Sequence, residues 1–592
     1  MKQWQLDFLK PQSIALTLLL FVQACLLFYN FSNIAISHDE LSALYRCRFQ
    51  TFSELINEGV VVDGHPALVQ VLLWSLVNFC EASIATIKFP FILFSLVSTF
   101  YLFKIGVKYF GIYTALLAGI FFISLEYFLY LQSVARPYSL GLMLNLMLVY
   151  HLHLFNQNSK KWGRLFVITI ITTLSFYTHY FSFLQSVTIL FTYLIFQSNQ
   201  SQKIKLFGVL VLSSLLFLPH LPITLTQISY GGLQWLSKPD WTFFNQFYWQ
   251  LFNQSTTITV LFSMFIILAL VQIKKHFKNR VILLCLWGVP LITIYLYSIL
   301  RAPVLQSASL YFSTPFLFLL VANGIETLKY KKLKIAGIAI SFILLIYHLH
   351  YSTHFIQNRF FQPMQAFFNA NNSFIKQNSG KKISTYWQGN SNYFKLYLQL
   401  TKQTFDCKYT EKTESLDSTQ IMQYDYLICN HLQAENMASI GRYFPYIKQK
   451  DYHLHYEFVV LQKAKSQQLL YEKTLSFTFD SSNSQVPVTI PIHSIIPNHY
   501  YYLDWQKLEN ETIDNELVIE TFVNNLRVDW RSMNLSQKQT YSIKLKDVIN
   551  HQQWQQKPDL KIYLSNPQLV SKKPLQIVLK MRTDNPFEYT GK

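Results

Sequence analysis

Eleven apolar segments, each near the length of one bilayer crossing, constrain this chain more than any other feature of its sequence. A helix needs about 20 mostly apolar residues to cross the hydrocarbon core of a bilayer. With 51% apolar and only 14% charged residues, the chain of 592 residues is neither disordered nor fibrous. The sequence predicts a polytopic α-helical membrane protein whose transmembrane helices, about 11 in number, lie at residues 13–31, 84–103, 112–131, 139–155, 165–180, 181–197, 206–222, 256–273, 281–299, 308–326 and 335–351.

Lysine and arginine are distributed unevenly between the connections of these segments. Cytoplasmic loops of membrane proteins are enriched in both residues. If the odd-numbered segments run outward, the outer connections of the membrane half hold only Arg46, Arg48, Arg136, Lys238 and Arg301. This topology predicts a cytoplasmic N-terminus, and it requires residues 66–80 to form an interfacial helix instead of a crossing. The net charge of +19 therefore reflects topology, and no nucleic-acid partner is expected.

The tail from residue 352 onward is mixed polar and apolar, which predicts soluble domains on the outer side. Strand-like runs alternate with helix-like ones up to residue 465, as in a small α/β domain. Eight further strand-like runs follow, separated by turn residues, which is typical of a β-sandwich. We predict a membrane domain at 1–351, an α/β domain at 352–465 and a β-sandwich at 466–592. The runs in the α/β domain are strands at Lys382–Trp387, Tyr424–Cys429 and Tyr452–Gln462 and helices at Tyr393–Thr401 and Asn436–Tyr443.

The first outer loop, residues 32–83, contains the candidate catalytic residues. Asp39 and Glu40 follow the first apolar segment directly. A carboxylate held at such a boundary is partly desolvated, which raises its basicity enough to take a proton from a hydroxyl nucleophile. The alternative is that the sequence from His38 to Glu40 only caps an interfacial helix, because acidic residues favour a helix N-terminus.

Outward-facing cations and polar residues surround these acids in the predicted topology. Arg46, Arg48 and Arg136 could each grip a phosphate by charge-assisted bonds; a phospholipid contact or a salt bridge is the alternative. Asp63-Gly64-His65-Pro66 ends the loop, and there Gly permits a tight turn and His65 can donate to a phosphate or orient a carboxylate. Tyr138, beside a helix-breaking Pro, and His179 lie at the same predicted depth. For both histidines a purely structural role is the alternative.

Several short motifs together resemble a known family. They are SHDE after the first segment, GHPAL before the interfacial helix, IKFP with Lys88, KYFG on the inner side and ARPYSL on the outer side. Over residues 10–330 the set resembles the multi-spanning glycosyltransferases of the GT-C fold. The likeness is greatest to the bacterial lipopolysaccharide-core glycosyltransferase-like group, and aminoarabinose transferases and protein O-mannosyltransferases are more distant. Relatives often have Arg at the position of Lys88, and many have an Arg-Tyr pair where Leu310-Tyr311 stands here.

The resemblance implies an enzyme that uses a sugar on a polyprenyl phosphate, presented on the outer leaflet of a bacterial inner membrane. Asp39 matches the catalytic acidic residue of the family, with Glu40 beside it. The expected reaction is an inverting displacement in which Asp39 accepts the proton of an acceptor hydroxyl, on an envelope glycan, lipid or protein. Lys88, Arg136, Arg46 and Arg48 would bind the leaving phosphate, and His65, Tyr138 and His179 the substrate. No cofactor or metal is expected to be required, and the tail would lie in the periplasm.

A carrier that moves a lipid-linked sugar across the membrane is the competing hypothesis. A transporter is expected to place polar or broken-helix sites near the bilayer midplane. In this sequence the polar candidates instead gather at one boundary of the membrane. The sequence therefore favours the enzyme.

Overall fold

The computed structural model describes residues 10–586 with the exception of 158–161, 232–235, 237, 272–273, 275, 411–417, 431–439, 441–442, 445, 454–455, 464–468, 480–487, 492–498, 508–515, 524–525, 535–539, 545–558 and 565–574. The chain divides into two compact units, Met1–Phe361 and Gln362–Lys592. The predicted limits at 351 and 465 stay a prediction.

The first unit is helical throughout its described residues. Short helical turns at Phe31–Asn33, Phe52–Glu54, Leu55–Val60, Leu218–His220, Ser307–Leu310, Asn323–Thr327 and His348–Ser352 connect or extend the longer helices. The longer helices are α1 Pro11–Phe28, α2 His38–Tyr45, α3 Leu68–Phe79, α4 Ile84–Tyr109, α5 Ile112–Ser124, α6 Glu126–Leu131, α7 Tyr138–Gln157, α8 Trp162–Thr178, α9 Tyr180–Phe196, α10 Gln200–Phe217, α11 Leu221–Ser229, α12 Thr242–Leu251, α13 Thr256–Val271, α14 Phe277–Leu300, α15 Thr314–Ala322, α16 Lys331–Tyr347 and α17 Phe355–Asn358.

Each of the eleven apolar segments contains helix, so their predicted secondary structure is confirmed. Among the described residues, 6 helices are long and apolar enough to cross a membrane, or up to 7 if the pair α12 and α13, bent by 100°, is one broken span. The chain is thus a multi-span membrane protein. Eleven crossings, the orientation and the interfacial position of α3 stay predictions.

A buried polar network joins the outer parts of α1, α4 and α6. The Gln23 side-chain amide donates to Gln132 Oε1 over 2.9 Å, and Ser95 Oγ donates to the Gln132 carbonyl over 2.9 Å. All three side chains are fully buried. Hydrogen bonds between side chains in an apolar interior specify one packing of the helices, so this network holds the base of the first outer loop in place.

The second unit begins with a five-stranded sheet in the order β2-β1-β3-β5-β4. The first three strands are parallel, and β5 is antiparallel to β3 and β4. The predicted single strand Tyr452–Gln462 is wrong, because two strands that pair with each other occupy this region. The predicted helix Asn436–Tyr443 lies almost entirely outside the described residues. The elements are α18 Pro363–Gln377, β1 Ile383–Gln388, α19 Ser391–Thr401, β2 Lys408–Thr410, α20 Ser418–Ile421, β3 Tyr426–Asn430, β4 Tyr446–His453 and β5 Tyr456–Gln462.

The eight strands predicted after residue 466 are confirmed. They form two four-stranded antiparallel sheets, in the orders β10-β9-β12-β7 and β11-β8-β13-β6. The strands are β6 Leu469–Phe479, β7 Val488–Pro491, β8 His499–Lys507, β9 Glu516–Val523, β10 Leu526–Asn534, β11 Thr540–Lys544, β12 Asp559–Leu564 and β13 Leu575–Pro586.

Candidate active site

Helix α2 begins with a capping box that separates the two predicted catalytic acids. The Ser37 backbone N–H donates to Glu40 Oε2 over 2.8 Å, and the Glu40 N–H donates to Ser37 Oγ over 3.2 Å. This reciprocal pairing is typical of a Ser-x-x-Glu helix start. Asp39 is exposed in the first turn, and within the described part of the chain it makes no hydrogen bond or ion pair. Glu40 is 1% exposed, so the two neighbouring carboxylates lie in opposite environments.

Glu40 forms a buried ion pair with Lys88 of α4. Lys88 Nζ lies 2.6 Å from Glu40 Oε1, and both side chains are 1% exposed. The backbone N–H of Ala135 donates to the same oxygen over 2.7 Å. Glu40 is thus held by three separate parts of the chain. In the structure the Glu40 carboxylate is thus occupied and the Lys88 ammonium is paired with it, and the predicted catalytic and phosphate-binding roles of the two residues stay predictions.

The Glu40 to Ala135 bond brings two other predicted site residues together, because Asp39 precedes Glu40 and Arg136 follows Ala135. The Tyr138 hydroxyl lies within electrostatic range of both the Arg136 guanidinium and the Asp39 carboxylate. Arg136 is only 9% exposed, and it forms no ion pair with any residue that the structure describes. Its Nε has no hydrogen-bond partner there. Arg136 is thus a buried guanidinium that makes no ion pair with a described residue, and it acts on the same tyrosine as the exposed Asp39.

Asp63 organises a second group at the end of the first outer loop. Its Oδ1 lies 2.7 Å from Arg46 Nη1, 2.8 Å from the Gly64 backbone nitrogen and 3.3 Å from His65 Nδ1. Burial alone would raise the pKa of Asp63. The charge and hydrogen bond of His65, together with the charges of Arg136 and Arg46, outweigh burial and hold that pKa well below its usual range. Asp63 is therefore an ionised, buried carboxylate.

Two glycines lie near this group. Gly64 does not adopt a positive φ, and a Cβ there would meet open space, so its turn is compatible with glycine but does not require it. The close approach occurs at Gly59, where an added Cβ would lie 2.5 Å from the Arg46 carbonyl oxygen. Gly59 thus allows the turn Leu55–Val60 to pack against the residue that pairs with Asp63.

The predicted substrate-binding residues form an aromatic cluster beside Arg136. The rings of His65 and His179 meet edge to face with 4.8 Å between centroids, and His179 lies 6.2 Å from the Tyr138 ring. His179 Nδ1 accepts the Phe181 backbone N–H over 3.0 Å, which fixes its ring at the start of α9. Arg48 stands apart from the other predicted residues. It is exposed, and its guanidinium lies 3.5 Å from the centre of the Tyr45 ring.

Several residues of this region were missed by the sequence analysis as site residues. Tyr311 is fully buried, and its ring lies 6.2 Å from that of Tyr138. The hydroxyls of Tyr127, Ser139 and Tyr311 are buried without a hydrogen-bond partner among the described residues. Such groups are available to a ligand. Apolar neighbours in the sequence hide these hydroxyls, and only the chain fold brings them together.

Arg359, just after the last apolar segment, was also missed. Its side chain donates to the Leu26 carbonyl over 2.5 Å and to the Leu27 carbonyl over 3.1 Å, and its own carbonyl accepts the Ala35 N–H over 2.9 Å. Burial lowers the pKa of Arg359 to about 10. Arg359 thus satisfies carbonyl groups at the C-terminal end of α1 and supports the segment that leads to Asp39.

A comparison with family models gives one match, over residues 64–223, to a family described as dolichyl-phosphate-mannose-protein mannosyltransferase. The matched segment contains His65, Lys88, Arg136, Tyr138 and His179 and begins after Asp39. This match confirms the resemblance predicted from the sequence motifs and, with it, the enzyme class of a membrane glycosyltransferase. No match was found among curated proteins.

Solved structures with similar folds include ArnT from Cupriavidus metallidurans and an oligosaccharyltransferase from Archaeoglobus fulgidus. ArnT in the apo state has a TM-score of 0.46 and 10% identity, over 75% of this chain and 97% of ArnT. ArnT bound to undecaprenyl phosphate has a TM-score of 0.47 and 10% identity, over 76% and 98%. For the oligosaccharyltransferase with Zn and sulfate the values are 0.42 and 9%, over 89% and 94%. This similarity is too low to align individual residues.

Proposed function

We propose that the protein transfers a sugar from a polyprenyl-phosphate donor to an acceptor hydroxyl at the outer boundary of the membrane. Arg136 carries this proposal, because it is a buried guanidinium without an ion pair among the described residues. A buried charge is costly when it is unpaired. A phosphate group would supply the counterion and accept charge-assisted hydrogen bonds. A lipid-phosphate donor also agrees with the description of the matched family.

Asp39 is the general base in this proposal. It is exposed next to the fixed Glu40, and no described residue occupies its carboxylate. Asp39 takes the proton of the acceptor hydroxyl while the acceptor oxygen attacks the anomeric carbon. The bond from that carbon to the phosphate oxygen breaks, and its electron pair leaves with the polyprenyl phosphate. A single displacement of this kind inverts the anomeric centre.

Arg136 binds the phosphate in this scheme, and the unpartnered hydroxyls of Tyr127, Ser139 and Tyr311 can donate to phosphate or sugar oxygens. Donors arranged in advance around the developing charge stabilise a transition state more than they would in water. Glu40 and Lys88 act as positioning residues, because their ion pair and the Ala135 bond hold Asp39 and Arg136 at the same boundary. Arg46 is a positioning residue as well, because it pairs with Asp63.

The carrier hypothesis has one structural feature in its favour, the bend of 100° between α12 and α13. Broken helices often form transport sites. Here two polar groups at the break bond within the protein, while Asn253 Nδ2 is buried without a partner among the described residues. Asn253 Oδ1 accepts the Glu126 N–H over 3.0 Å, and Ser255 Oγ lies 2.6 Å from His348 Nε2. The enzyme remains the better proposal.

Purified protein in lipid nanodiscs, supplied with a panel of radiolabelled polyprenyl-phosphate sugars and a crude envelope acceptor, tests this function. We expect sugar transfer by the wild type and at least a tenfold loss, about 1.4 kcal/mol, in Arg136→Gln. Lys238→Gln, which removes an exposed cation from the predicted outer face, is the control and should match the wild type. Binding of lipid-linked sugars without consumption of any donor would instead support the carrier, and retention of the anomeric configuration would exclude single displacement.

The location and requirements of the reaction belong to the same proposal. A cytoplasmic N-terminus and a periplasmic tail would place Asp39 where a donor on the outer leaflet of the inner membrane can reach it. The acceptor would be an envelope glycan, lipid or protein. We also propose that no metal is needed, which predicts unchanged transfer in the presence of EDTA.

A further inference from the structure

The Asp63 group contains a histidine whose orientation is fixed on several sides. His65 Nδ1 lies 3.3 Å from Asp63 Oδ1, its ring rests edge to face against His179, and its carbonyl accepts the Gln227 side-chain amide over 3.2 Å. The same amide donates to the Val60 carbonyl over 2.7 Å. The backbone and the ring of His65 are therefore held by contacts from two other parts of the chain besides its own turn.

The contacts of Nδ1 determine which nitrogen of His65 remains for a ligand. An ionised carboxylate only accepts hydrogen bonds, so the Nδ1 that faces Asp63 carries a proton. Arg136 Nη2 lies 3.5 Å from the same Nδ1, and since both are then donors, Arg136 gains no acceptor there. An imidazole that carries its proton on Nδ1 leaves Nε2 for a ligand, and as the imidazolium it donates through Nε2 as well. The side chain is 22% exposed, so a ligand can reach it.

We propose that His65, held by Asp63, is a second cation for the leaving phosphate and donates to it through Nε2 beside Arg136. This inference rests on the proposed function. The donor phosphodiester carries one negative charge, whereas the phosphomonoester that leaves carries up to two. As the bond to the anomeric carbon breaks, its electron pair moves to the phosphate oxygen, and the acceptor proton goes to Asp39. Arg136 balances the charge present in the donor, and the His65 imidazolium meets the charge that develops.

This arrangement stabilises the transition state more than the bound donor. Interactions that strengthen only as charge develops increase the rate, whereas equal binding of donor and transition state does not. His65 is therefore expected to discriminate between the phosphomonoester product and the phosphodiester donor. Removal of its charge should weaken the binding of polyprenyl phosphate much more than the binding of the sugar-bearing donor.

The titratable and charged groups that act on the His65 and Asp63 pair come from several elements. Arg46, Arg136 and His179 surround it, and Cys47 and Tyr180 lie within electrostatic range of Asp63. Burial raises the pKa of the Cys47 thiol further above neutrality, and His179 Nδ1 already accepts a backbone N–H. His65 is therefore the group of this cluster that is left to contact a phosphate.

Binding of undecaprenyl phosphate and of its sugar-bearing form to the protein in nanodiscs, measured at the same pH, tests this role. The variants are His65→Gln, which has no charge, and His65→Lys, which keeps one. We expect His65→Gln to bind undecaprenyl phosphate about tenfold or more weakly than the wild type, the equivalent of one charged hydrogen bond, and to bind the sugar-bearing donor with little change. His65→Lys should restore the binding of undecaprenyl phosphate.

Asp63→Asn gives a second readout that a purely structural role would not produce. Without the carboxylate that holds the ring, the preference for undecaprenyl phosphate over the sugar-bearing donor should fall. Equal losses of both lipids in His65→Gln, or no loss of either, would overturn the inference. If the wild type binds no polyprenyl phosphate and consumes no donor, the proposed function itself fails. Binding or turnover without that difference between the two lipids overturns only the role of His65.

Discussion

Two buried carboxylates of the first outer loop, Glu40 and Asp63, are built in different ways. Glu40 and its partner Lys88 are both 1% exposed, and its oxygens also accept backbone N–H groups. Asp63 is 8% exposed at its side chain, but its partners Arg46 and His65 are 27% and 22% exposed. The first group is closed to any ligand, whereas the second has partners that can bind one. Similar ion pairs at one membrane boundary can therefore serve as scaffold or as binding site, and exposure decides which.

The largest effect is expected for Asp39, the exposed neighbour of the buried Glu40. Asp39→Asn should lower sugar transfer by about 10²- to 10⁴-fold, the usual contribution of a general base. Its thermal unfolding should match that of the wild type, because no described residue bonds to this carboxylate. Transfer at the wild-type rate would move the base elsewhere, with Asp63 the next carboxylate to test.

Substitutions in the buried pair of Glu40 and Lys88 should lower the stability of the protein. Glu40→Gln and Lys88→Met each leave one buried partner unpaired, which costs about 3–5 kcal/mol. The double variant should lose much less stability than the two single variants together, since it leaves neither charge buried without a partner. Unfolding of the four proteins in the same detergent measures this coupling. Additive losses would show that the pair is not the closed unit described above.

A smaller loss of stability tests whether the scaffold extends to the end of the last apolar segment. Arg359→Met removes the donors to the Leu26 and Leu27 carbonyls and should destabilise the first unit by about 1.5–3 kcal/mol, the range for hydrogen bonds to a charged group. Arg301→Met is the control, because Arg301 is exposed after α14. Equal unfolding temperatures of the two variants would argue against a role of Arg359 in holding α1.

The smallest expected effect concerns the pH dependence of the stability that Asp63 and its partners contribute. The pKa of Asp63 is depressed in the folded protein, so its stabilising contribution is present above the ordinary aspartate pKa of about 4. That contribution is lost only as pH falls further, through the depressed value. The difference in unfolding temperature between wild type and Asp63→Asn should therefore be undiminished from pH 7 to pH 5 and shrink below about pH 4. A difference that shrinks already between pH 7 and pH 5 would contradict this assignment.

Local patterns predicted much of the fold. Apolar length located helices in all eleven segments, and alternation with turn residues located the eight strands after residue 466. The error at Tyr452–Gln462 has a local cause, because residues of high strand propensity lie at the end of β4 and throughout β5. Propensity identifies strand-forming residues but not the point at which the chain reverses direction.

The candidate site was predicted unevenly for a related reason. Motif spacing located Asp39, His65, Arg136 and Tyr138, and the structure brings these residues to one boundary. Tyr311 was noted only as the place of an Arg-Tyr pair in relatives, and Arg359 carries no local signal, since its position depends on contacts with distant parts of the chain. The partner of Glu40 is 48 residues away, which no local pattern can reveal.

The sequence alone determined the class of the protein, its helices and strands, and the residue types of the first outer loop, because these follow from apolar length, periodicity and charge. Only the tertiary structure decided between Asp39 and Glu40, two adjacent acids with the same chemistry. Successive residues on a helix point about 100° apart. One carboxylate therefore turns into the protein to meet Lys88 and Ala135, while the other turns outward and stays available for chemistry.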